Sequence, residues 1–201
     1  HFLAEEATSS GKNEPIKFSY NHPTWIIDPI DGTTNFIHGL PNYCVSIALH
    51  HKKEIEQAVV YDPSRDELFT ASKGRGAYLN DRRLRVSKQI RLQSSLIATG
   101  FPPRDPDLFD SYYSVLQTIS KSSISIRRIG SAALELCYVA SGRFDGFFEI
   151  GLMPWDSAAG SLIVQEAGGF VGNFNGANDY LFSSNIVAAH PKIFAFLIST
   201  L

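Results

Sequence analysis

Directly behind the short apolar run Trp25-Ile26-Ile27 stands Asp28-Pro29-Ile30-Asp31-Gly32-Thr33-Thr34. With each residue type used at about 5–7%, a D-P-x-D-G-[ST] pattern arises by chance in a chain of this size on the order of once in several thousand. The run reads as a buried strand that ends at Asp28-Pro29. Two carboxylates three residues apart at a strand end can converge on a hard cation such as Mg²⁺, which takes oxygen ligands in an octahedron. Pro29 stiffens the connection. Gly32 has no Cβ, so a ligand can come close to the backbone, and Gly32 and Thr33 can offer N–H groups to phosphate oxygens. The competing reading is a pair of Asp-Pro and Asp-Gly turns with solvated carboxylates.

Around this motif the chain has the composition of a folded protein. Of its 201 residues 44% are hydrophobic and 19% charged, which excludes disorder for most of its length. Eighteen Lys and Arg stand against 20 Asp and Glu, a net charge of −2, so no global positive field points to nucleic acid. No apolar run approaches the roughly 20 residues of a membrane span. Cys44 and Cys137 both sit in apolar runs and read as buried free thiols of a reducing, cytoplasmic compartment. The six histidines show no metal-ligand spacing.

Organisation changes along the chain. Residues 1–4 read as the end of a strand and the polar stretch to residue 23 as a loop. Runs at 45–49, 55–61 and 67–71, separated by turn residues, read as an antiparallel meander. Helical spacing then appears at 106–120, 131–140 and 156–167, with strands at 144–150 and 186–189 and a last helix opened by Pro191. This second half reads as layered α/β.

Two further acidic features gain meaning beside the first: Glu5-Glu6, and Asp156 within Pro154-Trp155-Asp156. Together with Ala98-Thr99-Gly100-Phe101-Pro102, Arg127-Arg128-Ile129-Gly130-Ser131-Ala132-Ala133 and Glu166-Ala167-Gly168-Gly169, they give the chain the motif order of the inositol monophosphatase family. It resembles most the bacterial inositol-1-monophosphatases. The resemblance covers essentially the whole chain and implies one domain over 1–201, with sub-lobes meeting near residue 95 (1–95 and 96–201). The fold it implies is an α-β-α-β-α layered sandwich, here without the two helices that precede the position of His1 in the family. It also implies a homodimer, sensitivity to lithium, and two or three Mg²⁺ ions held by Glu5, Asp28, the Ile30 carbonyl, Asp31 and Asp156. Glu5 and Thr33 would orient the attacking water. Gly32, Thr33 and Thr34 would cradle the phosphate, with Ile30, Asp31 and Asp156 bordering it. Gly130, Ser131, Ala132 and Glu149 would contact the inositol, with Arg127 nearby. The implied reaction is hydrolysis of inositol-1-phosphate. Relatives that use fructose-1,6-bisphosphate or adenosine 3′,5′-bisphosphate, and relatives that act as partners in bacterial transcription or RNA processing, supply the alternatives. For the last, the basic runs Arg82-Arg83-Leu84-Arg85 and Arg127-Arg128 are the candidate contacts.

Overall fold

A computed structural model describes residues 1–5, 22–101, 106–183 and 185–201. Glu6, most of the expected N-terminal loop and Pro102 lie outside the described residues.

The first half is a seven-stranded sheet in sequential order: β1 (Phe2–Ala4), β2 (Thr24–Asp31), β3 (Cys44–His51), β4 (Glu54–Asp62), β5 (Glu67–Ser72), β6 (Gly76–Leu79) and β7 (Arg82–Arg83). All neighbours are antiparallel except β1, which runs parallel to β2. A five-residue helix, α1 (Thr33–Ile37), follows β2. The second half is a mixed five-stranded sheet, ordered β11 (Phe170–Gly172), β12 (Asn185–Ala189), β10 (Gly146–Ile150), β8 (Leu96–Thr99), β9 (Ser125–Arg127).

Two helices fill the space between the sheets, α3 (Ala132–Ala140) and α4 (Pro154–Glu166). Their sequences, AALELCYVA and PWDSAAGSLIVQE, are apolar or small on nearly every side, as a helix with no solvent face requires. Every residue of α3 is buried. Where the two helices cross, a Cβ on Gly160 would lie 2.6 Å from the Leu136 side chain, so the glycine sets their separation. The facing strand meets them with small side chains: Cys44, Ser46 and Ala48 of β3 point inward and are buried.

Alternation in the second sheet separates two apolar clusters. Ala98, Phe147, Ile186 and Ala188 join the core between the sheets. Ile97, Phe148, Val187 and Ala189 face the other way, against Tyr112 and Ile119 of α2 (Pro106–Ser122) and Ile193 and Leu197 of α5 (Pro191–Thr200). Among the described residues the layers are therefore sheet, helix pair, sheet, helix pair. These layers match the expected layered sandwich in order.

One local expectation was too short. The strand does not end at Asp28-Pro29 but runs on to Asp31. Asp28 pairs with Ser46 and Asp31 with Cys44, so two residues of β2, Pro29 and Ile30, oppose one of β3, Val45. The extra residue is a β-bulge at Pro29-Ile30, a place where proline's missing N–H is tolerated. In a regular strand residues 28 and 31 would face opposite sides. The bulge returns Asp31 to the inner face that Asp28 occupies, and both are buried.

Candidate metal centre

Three carboxylates meet where β2 ends and α4 begins. Asp28, Asp31 and Asp156 each offer an oxygen within 4.8 Å of the other two. Among the described residues none of them forms an ion pair with Lys, Arg or His. Each is held by backbone N–H groups instead. Asp28 Oδ1 accepts from Ile30 N at 2.9 Å. Asp156, at the third position of α4, accepts from Met153 N at 2.7 Å. Asp31 Oδ2 accepts from Ser131 Oγ at 2.6 Å and Ala133 N at 2.8 Å, at the N-terminus of α3. Glu5 follows β1, whose Ala4 is level with Ile27, and its charge acts on all three aspartates.

Burial, followed by repulsion from neighbouring carboxylates, lifts the Asp28 pKa to about 8 and the Asp156 pKa to about 8. Asp31 is lifted by burial to about 6, less because Ser131 and Ala133 donate to it. A cluster of buried and half-buried acids with no cationic side chain paired to it among the described residues fits a divalent ion, whose charge would replace the protons and whose oxygen preference matches the donors.

The sign of the pH effect follows. Unfolded aspartates titrate near 3.9, so between roughly pH 4 and 8 the metal-free folded chain holds more protons than the unfolded one. That contribution to stability is complete below about pH 4 and is lost progressively as pH rises, to about 6 for Asp31 and about 8 for Asp28 and Asp156. The expected result is a melting temperature that falls from pH 6 to 9 without metal, and a fall largely removed by saturating Mg²⁺. Calorimetry at matched ionic strength checks it; a metal-free melting temperature that rises over this range contradicts the assignment.

The walls of the site come from three further segments. Gly32 lies at φ +92°, and a Cβ there would meet Asn42 O at 2.7 Å and Gly130 O at 3.3 Å. Thr33 donates its hydroxyl to Ile30 O at 2.9 Å. Thr33 and Thr34 precede the first helical bond of α1, from Phe36 N to Gly32 O. Gly130 sits at φ +82°, before Ser131 and Ala132. Glu149, on β10, lies against Gly100, where a Cβ would strike its carboxylate. Burial raises the Glu149 pKa well above the usual range, with Glu135 and Asp31 adding and Arg128 opposing. The two arginines diverge. Arg127 turns its guanidinium to Ser125 Oγ and Ile126 O, whereas Arg128 stacks on Phe101 at 4.6 Å. Sequence reasoning gave Ser131 to the substrate; its hydroxyl is engaged on Asp31. It missed Asn35 and Glu135, which hold the turn before Ser131.

Comparison with known proteins accords with this geometry. The sequence profile of the inositol monophosphatase family matches residues 1–201. This chain belongs to that family. Nus factor SuhB of Pseudomonas aeruginosa is 52% identical over 179 residues, 88% of this chain and 66% of the relative. The chain thus spans just under two thirds of that relative's length. The extragenic suppressor protein suhB of Bartonella henselae superposes with a TM-score of 0.88 at 45% identity, over 99% of this chain and 74% of that one. The inositol monophosphatase of Anabaena does so with a TM-score of 0.90 at 37% identity, over 99% and 77%.

Proposed function

We propose that this chain carries a Mg²⁺-dependent phosphomonoesterase centre acting on inositol-1-phosphate. The observation that carries the reading is the Asp28–Asp31–Asp156 cluster, without an ion-pair partner among the described residues, beside a glycine-lined cradle. Bound Mg²⁺ would neutralise phosphoryl charge and acidify water, the part of a slow hydrolysis that side chains alone supply poorly. Asp28, Asp31, Asp156, Glu5 and the Ile30 carbonyl would hold the ions.

The chain's own groups do the rest. Glu5 takes the proton of the attacking water, with Thr33 orienting it. Gly32, Thr33 and Thr34 present backbone N–H groups to the phosphate oxygens. Water attacks phosphorus directly and in line, since among the described residues the Ser and Cys at the centre are buried: Ser131 gives its hydroxyl to Asp31, and burial pushes the Cys44 thiol up. Glu149 accepts hydrogen bonds from the polyol hydroxyls beside Gly130 and Ala132.

The arginine placement supports an uncharged leaving polyol over a bisphosphate. Arg127 is occupied at Ser125 and Ile126, and the charge of Arg128 is set against Glu149 and Glu135. Phosphate release from inositol-1-phosphate, fructose-1,6-bisphosphate and adenosine 3′,5′-bisphosphate, with Mg²⁺ and with added Li⁺, tests this. The expected order places inositol-1-phosphate first by at least about tenfold in kcat/KM, a margin of about 1.4 kcal/mol, and has Li⁺ inhibit. Preference for a bisphosphate overturns the substrate assignment.

A second reading concerns partners. The SuhB relative carries the name Nus factor. On this chain Arg82, Arg83, Arg85, Lys88 and Arg91 are all exposed, and none forms an ion pair among the described residues. Such a stripe fits an anionic partner of a transcription or RNA-processing complex. Intact metal binding with no turnover on any of the three esters favours this reading.

A further inference from the structure

The turn that leads from β9 into α3 is gripped from two sides by residues that the reading above does not use. On one side Asn35, half-buried on α1, donates its Nδ2 group to three carbonyls: Asn42 at 2.7 Å, Ile129 at 2.8 Å and Gly130 at 3.2 Å. The amide has two hydrogens, so one is shared. On the other side Glu135 is 1% exposed and accepts from Ile129 N at 2.8 Å. Both carbonyls of one short turn and its Ile129 N–H are thus taken by just two side chains. The residues between the jaws leave no slack. Gly130 is left-handed, and a Cβ on it would lie 3.1 Å from Asn35 Nδ2. Immediately after the turn come Ser131 Oγ and Ala133 N, the two donors that fix Asp31 Oδ2.

We propose that Asn35 and Glu135 form a clamp on the Ile129–Gly130 turn and are positioning residues for the metal centre. Through the turn they set the place of the Ser131 and Ala133 donors, and so the orientation of Asp31. Through Asn35 they also tie the phosphate-cradle segment to the opposite wall of the site. Neither residue belongs to the aspartate cluster and both bond to the turn's backbone, so the effect passes through the backbone. The inference rests on the metal-centre reading and adds which residues outside the ligand set control that centre.

The test is a Mn²⁺ titration of the whole chain followed by electron paramagnetic resonance, on wild type, Asn35→Ala, Asn35→Asp and Glu135→Gln. Partners that orient a ligand typically govern metal affinity by 10–100-fold. Asn35→Ala is expected to weaken Mn²⁺ binding about tenfold. Asn35→Asp keeps the volume but turns a carboxylate onto three carbonyl oxygens, and should weaken it further. Glu135→Gln keeps one acceptor and should give a smaller loss in the same direction. In turnover assays the Mg²⁺ half-saturation and the KM for inositol-1-phosphate should rise more than kcat falls. Lowered melting temperatures with Mn²⁺ affinity within twofold of wild type would show a packing role only, and overturn the clamp. Wild-type protein that binds no Mn²⁺ would overturn the metal-centre reading and the clamp together. Wild-type protein that binds Mn²⁺ but hydrolyses no inositol-1-phosphate leaves the clamp to be judged by the titration alone.

Discussion

Replacing Asp28 with Asn should lower Mg²⁺-dependent turnover by about 10³-fold or more while raising the melting temperature of the metal-free protein. The two effects share one cause. Asp28 is 1% exposed, within 4.8 Å of Asp31 and Asp156 at their oxygens, and has no cationic partner among the described residues. Without metal its charge is a burden, carried by a proton at neutral pH because burial and its neighbours lift its pKa to about 8. With metal that same charge would serve as a ligand, and its loss would remove the charge stabilisation that the proposed reaction needs. The amide is isosteric, and its oxygen can still accept from Ile30 N. Asp156→Asn should behave alike, since its carboxyl is lifted for the same reasons. Paired calorimetry and phosphate-release assays check both signs. A variant less stable than wild type without metal, with turnover within tenfold of normal, contradicts the account.

Gly32→Ala is the second large effect. Its Cβ would stand 2.7 Å from the Asn42 carbonyl oxygen and 3.2 Å from Tyr43 Cα. Both are backbone atoms and cannot swing aside. The residue also lies at φ +92°, a region that costs an L-residue of order 1–3 kcal/mol. Relief must move either the cradle or the strand behind it, and a shift of about 1 Å at a reacting centre costs on the order of 10²-fold in rate. Turnover should therefore fall about 10²-fold, with a melting temperature lower by about 5–10 °C. Gly39 supplies the control. It has φ +71° but nothing within 4 Å of its Cβ position, so Gly39→Ala should lose stability and keep its rate. Equal rates for Gly32→Ala and Gly39→Ala would remove Gly32 from the site.

The strands and buried helices were legible because their periodicities are strong. β3 and β4 alternate clearly, and α3 and α4 carry apolar residues at helical spacing. The short strands β8, β9 and β11 were not, for three or four residues carry too little pattern. Helix α1 escaped for the same reason, with two threonines in its five residues. The strand limit failed at Pro29, which reads as a terminator in sequence and proves to mark a bulge. That bulge, not the three-residue spacing alone, brings Asp28 and Asp31 to one face.

The aspartates were legible as residues, but the groups that hold them were not. The family resemblance implies Ser131 as a substrate contact, and only the folded chain shows its hydroxyl on Asp31. Glu135 left one trace, a single charge in an otherwise apolar helix. Asn35 left none, because its three acceptors lie at positions 42, 129 and 130.

The central claim is that Asp28, Asp31 and Asp156 make this chain a metal-dependent phosphomonoesterase. Phosphate release from inositol-1-phosphate by wild type and Asp28→Asn, each with Mg²⁺ and with a chelator, tests it most directly. The account predicts turnover in one of the four samples, wild type with Mg²⁺. Equal release by wild type in the chelator, or by Asp28→Asn in Mg²⁺, would contradict it.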